Sequence, residues 1–308
     1  MRHKRFAITG LAFPLIVGLL IAAPAAGAKP PASKPKLYKM KQTTFTFVDT
    51  SRATPANGSY AGAPSRTLVT VVSMPVGAKG KVPLVVFSTG SGGTATNYQG
   101  LYQHWVAAGY AVAAPNFPLS QKDAPGGSSL VDFKEQPADV RFVLTSVLKL
   151  AAGKKGPLAG KIDSKRVALA GKSLGAITTL TAAYNIADHD TREKAVISLT
   201  GAASDAKSFF TGIPVPLLLV HGDADKTVPY QSSVDAFGLA LTPKYLVTLF
   251  GEDHGGAFDG EGTPAADVVV KTTTDFLDAY VKGQKAALTR LAKDGDVASV
   301  SSYQAAAG

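Results

Sequence analysis

The residues best suited to chemistry in this chain form a G-x-S-x-G run centred on Ser173. The run follows a short apolar stretch, 166–170, and precedes a helix-like segment, 176–183, so it lies between a strand and a helix. In that context the serine occupies a tight turn, and the flanking glycines let the backbones approach closely. The pattern predicts that Ser173 is a nucleophile and that the N–H of Leu174 points towards the oxyanion formed when it attacks a carbonyl group.

A serine nucleophile requires a base, and the base requires an orienting carboxylate. In hydrolases built around such a turn, the order along the chain is serine, then the acid, then histidine. His254 lies in a glycine-flanked loop after the last strand-like run and is therefore the predicted base. The loop after the preceding strand offers Asp223 and Asp225 as the acid, and Asp205 is a further candidate.

The other histidines in the body of the chain are expected to have structural roles. His104 and His189 fall within or at the end of helical segments, where surface or packing roles are expected. His221 ends an apolar run and is expected to brace the turn that follows.

A glycine-rich loop, Thr89–Gly93, follows the continuous apolar run 82–88. An oxyanion hole needs a second N–H donor, and in hydrolases of this kind it comes from such a loop. Ser91 is the expected donor, although the same loop without Ser173 would suggest only a flexible turn.

Two other motif interpretations fail on specific positions. A phosphate-binding P-loop would require glycine where Arg166 stands. A calcium loop starting at Asp223 would require glycine at position 228 and glutamate at position 234, and both are valines. The expected chemistry therefore involves no metal and no cofactor.

Strand-like and helix-like segments alternate along the chain. The strand-like runs are 43–48, 67–73, 82–88, 110–114, 166–170, 195–200, 216–220 and 245–250. The helix-like runs are 98–108, 136–150, 176–183, 231–241 and 264–282. Because most of these strands are wholly apolar, the sequence predicts an α/β fold with a mostly parallel sheet of about eight strands and helices on both faces.

The ends of the chain differ in composition from its body. Residues 1–28 have a basic start, an apolar run and an A-x-A-like site, which predicts a cleaved export signal; an uncleaved anchor is the alternative. Residues 29–41 are predicted to be a proline-containing linker, 42–285 the catalytic domain, and 286–308 a loosely packed tail. The chain has no cysteine, so its core must be stable without disulfides.

The formal net charge is +10. The lysines are scattered and not interleaved with aromatic residues, which argues against nucleic acid as a partner and favours a basic, solvated surface.

From Val82 to Tyr280 the chain resembles the α/β-hydrolases. It is most similar to the branch that contains platelet-activating-factor acetylhydrolase, chlorophyllase, dienelactone-hydrolase-like proteins and bacterial cutinase-like polyesterases. The resemblance is carried by the 89–93 loop, the stretch 132–143, the turn at Ser173, the acid loop and His254.

The resemblance implies Ser173 as nucleophile, Asp225 as acid and His254 as base. The chain departs from the family pattern at Thr89 and Lys172, where relatives often have histidine, and it lacks the cysteine nucleophile of dienelactone hydrolases proper.

Residues 200–216 are too few for a helical cap domain, so an open cleft is expected. Four aromatic residues are candidates either for its wall or for the core: Trp105, Phe117, Phe209 and Phe210.

Together these observations predict a secreted, monomeric serine hydrolase that cleaves carboxylic esters of a small molecule, a lipid or a polyester through an acyl-enzyme. An extracellular acyltransferase with the same triad and a non-catalytic binding protein with the hydrolase fold are the alternatives.

Overall fold

The computed structural model describes residues 37–185, 189–203, 210, 212–258 and 262–306. Residues 36–308 belong to one compact unit. The predicted export signal and most of the predicted linker lie outside the described residues. No helix among the described residues is long and apolar enough to cross a membrane.

Nine strands form a single sheet in the described part of the chain, in the order β1-β2-β4-β3-β5-β6-β7-β8-β9. The strands are β1 (Met40–Asp49), β2 (Arg66–Pro75), β3 (Val82–Ser88), β4 (Ala111–Asn116), β5 (Ile162–Lys172), β6 (Glu193–Leu199), β7 (Leu217–Gly222), β8 (Lys244–Leu249) and β9 (Ser301–Ala306). Strands β3 to β8 run parallel to their neighbours within that set. The predicted α/β fold with a mostly parallel sheet is confirmed.

Six α-helices flank this sheet in the described residues. They are α1 (Gln99–Ala107), α2 (Gln136–Ala152), α3 (Leu174–Tyr184), α4 (Gln231–Leu239), α5 (Pro264–Tyr280) and α6 (Ala287–Gly295). Side chains of α1, α5 and α6 pack on one face of the sheet, and those of α2, α3 and α4 pack on the other. Strand β3 is buried at all seven positions because helices cover it on both sides.

The first two strands form the predicted hairpin, and Met40 pairs with Pro75. The structured domain thus begins slightly before position 42, and the predicted linker boundary at 41 is wrong by two residues. The reason is that Met40 and Lys41 pair with β2 in the same antiparallel register as the predicted strand-like run 43–48.

The prediction of a loosely packed tail from 286 to 308 is wrong. Residues 287–295 form α6, which buries Leu291, and residues 301–306 form β9, which pairs antiparallel with β8. Tyr303 of β9 stacks on Tyr245 with ring centroids 6.0 Å apart. The strand covers what would otherwise be the open edge of β8, and this accounts for the ninth strand.

A buried ion network ties the first hairpin to α2. The Arg66 guanidinium is fully buried; it donates from Nη2 to Asp132 Oδ1 at 3.0 Å and to Asp139 Oδ2 at 2.6 Å. Arg52 also donates to Asp139, at 2.6 Å. Asp132 in turn accepts from the N–H of Leu119 at 3.2 Å, so the network also holds the long connection that follows β4.

The strand order brings three loops together at one edge of the sheet. The chain leaves the carboxyl ends of β5, β7 and β8 at that edge, where functional residues of open α/β sheets collect. Residues 200–216 join β6 to β7, and those among them that the structure describes form no helix.

Candidate active site

Ser173 occupies the sharp turn between β5 and α3. Its backbone has φ 57° and ψ −122°, a strained conformation for a residue with a side chain. The flanking glycines are required sterically: a Cβ on Gly171 would overlap the carbonyl of Gly175, and a Cβ on Gly175 would overlap the carbonyl of Ser88. The turn therefore has the geometry that the sequence pattern predicted.

The structure brings Ser173, His254 and Asp225 together. Ser173 Oγ lies 2.8 Å from His254 Nε2. On the other side of the same ring, His254 Nδ1 lies 2.6 Å from Asp225 Oδ2. One imidazole thus contacts the hydroxyl through one nitrogen and the carboxylate through the other, which is the arrangement that a base and its orienting acid require.

The loop after β7 holds the Asp225 carboxylate in place. Asp225 Oδ1 accepts from the backbone N–H of Thr227 at 2.8 Å and of Val228 at 2.9 Å. Burial alone would raise the pKa of Asp225, but hydrogen bonds from His254 and from these two N–H groups outweigh it and hold the pKa below its ordinary value. The carboxylate is therefore ionised at neutral pH.

The other candidate acids are not at this site. Asp223 Oδ1 instead accepts from the N–H of Gly251 at 2.7 Å, so it links two turns at the sheet edge. Asp205 lies outside the described residues. Of the two aspartates in the loop, the structure brings only Asp225 to His254.

The candidate oxyanion donors next to Ser173 are the N–H of Leu174 and an N–H of the glycine-rich loop. In the glycine-rich loop, Gly90 N donates to Tyr98 Oη at 3.2 Å, and Gly92 N donates to Ser120 O at 2.7 Å. Neither Ser91 N nor Leu174 N donates a hydrogen bond to any group in the described part of the chain. These are the two donors that the sequence analysis selected.

The loop also approaches the nucleophile closely. A Cβ on Gly90 would lie 3.3 Å from Ser173 Cβ and 3.2 Å from the carbonyl of Lys172. These distances leave little room for a side chain at position 90, and the glycine therefore allows the loop to lie next to Ser173.

The remaining histidines are distributed as follows. His104 lies on α1, and His189 Nδ1 is 2.7 Å from the carbonyl of Ala183. His221 Nε2 is 3.0 Å from the carbonyl of Val228, which fits the predicted role in bracing a turn. Sequence reasoning missed a second contact: the same nitrogen is 3.2 Å from Asp225 Oδ2.

The aromatic candidates for the cleft wall lie in the core. Trp105 and Phe117 are fully buried, and Trp105 Nε1 donates to Thr273 Oγ1 at 3.0 Å. Phe210 is buried against Tyr184, with ring centroids 5.0 Å apart. Phe209 lies outside the described residues. The core alternative therefore holds for the three that can be located.

The described residues contain no cluster of three or more histidine, aspartate or glutamate side chains suited to a metal ion. The site contains a hydroxyl, an imidazole and a carboxylate, together with the N–H groups of Leu174 and Ser91, which have no acceptor among the described residues. These groups can perform nucleophilic attack, proton transfer and oxyanion binding.

A family model described as PET hydrolase-like matches residues 72–297, which is most of the chain and includes every residue of this site. The chain belongs to the PET hydrolase-like family of α/β-hydrolases. The expected α/β-hydrolase resemblance is thereby confirmed.

Among curated proteins, the chain is similar to the uncharacterized protein YfhR of Escherichia coli K12. The two are 40% identical over 65 residues, which is 21% of this chain and 22% of YfhR. The Salmonella typhimurium protein of the same name is 40% identical over 47 residues, which is 15% of this chain and 16% of that protein. The chain thus matches about a fifth or less of the length of these relatives.

Proposed function

We propose that this protein is a serine hydrolase that cleaves carboxylic esters through an acyl-enzyme. The observation that carries the proposal is the pair of contacts made by one imidazole, 2.8 Å to Ser173 Oγ and 2.6 Å to Asp225 Oδ2. Family membership supplies the ester as the bond to be cleaved.

In the proposed acylation step, Ser173 Oγ attacks the ester carbonyl while its proton moves to His254 Nε2. The carboxylate of Asp225 keeps the other proton on Nδ1 and stabilises the imidazolium that results. Collapse of the tetrahedral intermediate breaks the bond to the alcohol oxygen, and the imidazolium returns its proton to that leaving oxygen.

Deacylation repeats these steps with water as the nucleophile. His254 Nε2 takes a proton from water, the resulting hydroxide attacks the acyl carbon, and Ser173 leaves with the proton that His254 returns. Free acid and free enzyme are the products.

The N–H groups of Leu174 and Ser91 would bind the oxyanion in both steps. This role is supported by the observation that neither N–H donates a hydrogen bond within the described part of the chain. A donor that is already oriented costs no reorganisation when negative charge develops on the carbonyl oxygen.

The substrate class we propose is a carboxylic ester of a small molecule, a lipid or a polyester, and we place the active protein outside the cytoplasm as a monomer. The basic start, apolar run and A-x-A-like site in residues 1–28 support export. The test of location is the N-terminal sequence of protein recovered from the medium or envelope. A chain starting at Lys29 would support cleavage, whereas one starting at Met1 would indicate an anchor.

The catalytic proposal is tested with the Ser173→Ala variant and a series of p-nitrophenyl esters of increasing chain length, together with an aromatic polyester film. We expect kcat to fall by about 10⁴-fold or more while the unfolding midpoint stays close to wild type. Retention of a tenth of the activity would remove Ser173 from the mechanism. Adding an alcohol to the wild-type reaction separates hydrolysis, which yields free acid, from acyl transfer, which yields a new ester.

A further inference from the structure

Four N–H donors surround the carboxylate of Asp225. Oδ1 accepts from Thr227 N and Val228 N, at 2.8 Å and 2.9 Å. Oδ2 faces His254 Nδ1 at 2.6 Å and His221 Nε2 at 3.2 Å. Because an ionised carboxylate offers about four lone-pair positions, the second histidine fills the last of them. Two imidazoles therefore contact the same oxygen.

The contacts of His221 determine which of its nitrogens carries the proton. Its Nε2 lies 3.0 Å from the carbonyl oxygen of Val228, which can only accept, so Nε2 must carry the hydrogen. The Nε2–H is then shared between Val228 O and Asp225 Oδ2. On the opposite side of the ring, Nδ1 lies 2.7 Å from Ser233 Oγ, and the serine hydroxyl donates to it.

His221 is also held neutral. Its ring is fully buried, and burial lowers the pKa of His221 in spite of the opposing effects of the Val228 carbonyl and Asp225. The groups that face the ring are Asp225, Ser233, the Val228 carbonyl and the edge-on ring of Tyr230, at 5.9 Å between centroids. A neutral ring supplies an N–H donor without adding a cation that would compete with the His254 imidazolium for the carboxylate.

We infer that His221 is a positioning residue of the site: its Nε2–H fixes the rotation of the Asp225 carboxylate so that Oδ2 faces His254 Nδ1. This inference rests on the proposed triad. The backbone N–H groups hold Oδ1, the second histidine holds Oδ2, and the plane of the carboxylate is thereby set before substrate binds. A preset acid keeps His254 in the tautomer that can accept the serine proton.

Two substitutions separate the two sides of the ring. In His221→Gln, the longer side chain carries an amide to the position of Nε2 and keeps a donor for Asp225 and Val228. In His221→Asn, the shorter side chain keeps an acceptor for Ser233 and loses the donor to Asp225. We expect His221→Asn to lower kcat by about 10- to 100-fold, the factor that corresponds to losing one hydrogen bond to a charged group. KM should change little, and His221→Gln should lose clearly less.

Ser233→Ala is the matched control for the buried hydrogen bond on the other side of the ring. It should lower the unfolding midpoint but have a much smaller effect on kcat than His221→Asn. Equal kcat losses in His221→Asn and His221→Gln, or losses in KM alone, would overturn the inference.

A double-mutant cycle with Asp225→Asn distinguishes a positioning role of His221 from a merely structural one. If His221 acts through Asp225, adding His221→Asn to the Asp225→Asn variant should reduce kcat by less than about twofold. A structural role predicts the full 10- to 100-fold loss again in that background. In the wild-type background, a carboxylate held through Oδ1 alone would stabilise the His254 imidazolium less, so the acid limb of kcat/KM should move to lower pH in His221→Asn.

The unmodified chain gives a measurement that does not depend on any variant folding. Nitrogen-15 NMR of the histidines should show His221 as the neutral Nε2–H tautomer from about pH 5 to 9. A neutral Nδ1–H tautomer, or a titration of His221 in that range, would overturn the inference. The failure of the proposed function is distinguishable from the failure of this inference. The proposed function is wrong if Ser173→Ala remains active. The inference about His221 is wrong if Ser173→Ala is inactive and His221→Asn behaves as wild type.

Discussion

The substitution Asp225→Asn tests the geometry of the site because the structure determines how the new amide must sit. Thr227 N–H and Val228 N–H both point at Oδ1, so only the carbonyl oxygen of an amide can occupy that position. The NH₂ group must then face His254. Since NH₂ donates and does not accept, Nδ1 of His254 has to release its proton, which moves to Nε2.

The shifted proton places an N–H opposite Ser173 Oγ, where wild-type His254 has an acceptor at 2.8 Å. The serine hydroxyl can no longer pass its proton to the ring. We therefore expect kcat to fall by about 10⁴-fold, as it does when a triad histidine holds the wrong tautomer. The same NH₂ also faces the N–H of His221, and this donor–donor contact should cost about 1–3 kcal/mol of unfolding free energy.

The assay is hydrolysis of a soluble p-nitrophenyl ester by the purified variant, with enzyme concentration set by protein mass and folding checked by urea denaturation. Asp223→Asn is the matched control, because among the described residues the Asp223 carboxylate accepts from Gly251 N alone and makes no hydrogen bond to His254. It should change kcat by less than about threefold. A larger loss for Asp223→Asn than for Asp225→Asn would refute the assignment of the acid and the tautomer argument together.

Three further predictions concern the frame around the site. Arg66→Ala should lower the unfolding free energy by about 3–5 kcal/mol in a urea titration, because it leaves the buried Asp132 carboxylate without its cation and Asp139 with Arg52 alone; a loss below about 1 kcal/mol would show that the network is not needed. Burial raises the pKa of Glu193 to about 8, so the folded state keeps a proton that the unfolded state loses, and stability should fall as pH rises from the unfolded pKa towards 8. Glu193→Gln should remove that fall. The measurement is the free energy of unfolding from about pH 5 to pH 9, and parallel curves for the wild type and the variant would contradict the prediction. Gly90→Ala places a methyl group 3.3 Å from Ser173 Cβ and should lower kcat roughly tenfold with little change in unfolding midpoint; an unchanged kcat would mean that the loop has room to move.

The parts of the fold that the sequence predicts are those with strong local signals. The G-x-S-x-G pattern is complete within five residues, and the structure shows that a Cβ would overlap Gly175 if added at Gly171 and Ser88 if added at Gly175. The buried strand β3 is a continuous apolar run, which only a sheet covered on both faces accommodates. The order serine, aspartate, histidine follows from the order of the strands that end at one edge of the sheet.

The parts that the sequence did not predict depend on distant neighbours. Strand β9, Ser301–Ala306, has little β-forming character and exists because β8 offers an unpaired edge. Trp105 is as compatible with a cleft wall as with the core, and only the packing of α1 against α5 decides between them. Likewise, the contact between His221 and Asp225 arises from the way the loop folds back over the end of β7. The sequence did hold a signal for it, namely a histidine at the end of a buried strand, four residues before the acid.

The most direct test of the central claim is to locate the covalent adduct that a fluorophosphonate probe forms with the protein. We expect one adduct per molecule, carried by the tryptic peptide 173–192, in which Ser173 is the only serine. Ser173→Ala should remove it, and His254→Ala should slow its formation by several orders of magnitude, because the hydroxyl then has no base. An adduct on any other peptide, or labelling of the Ser173→Ala variant at the wild-type rate, would show that Ser173 is not the nucleophile.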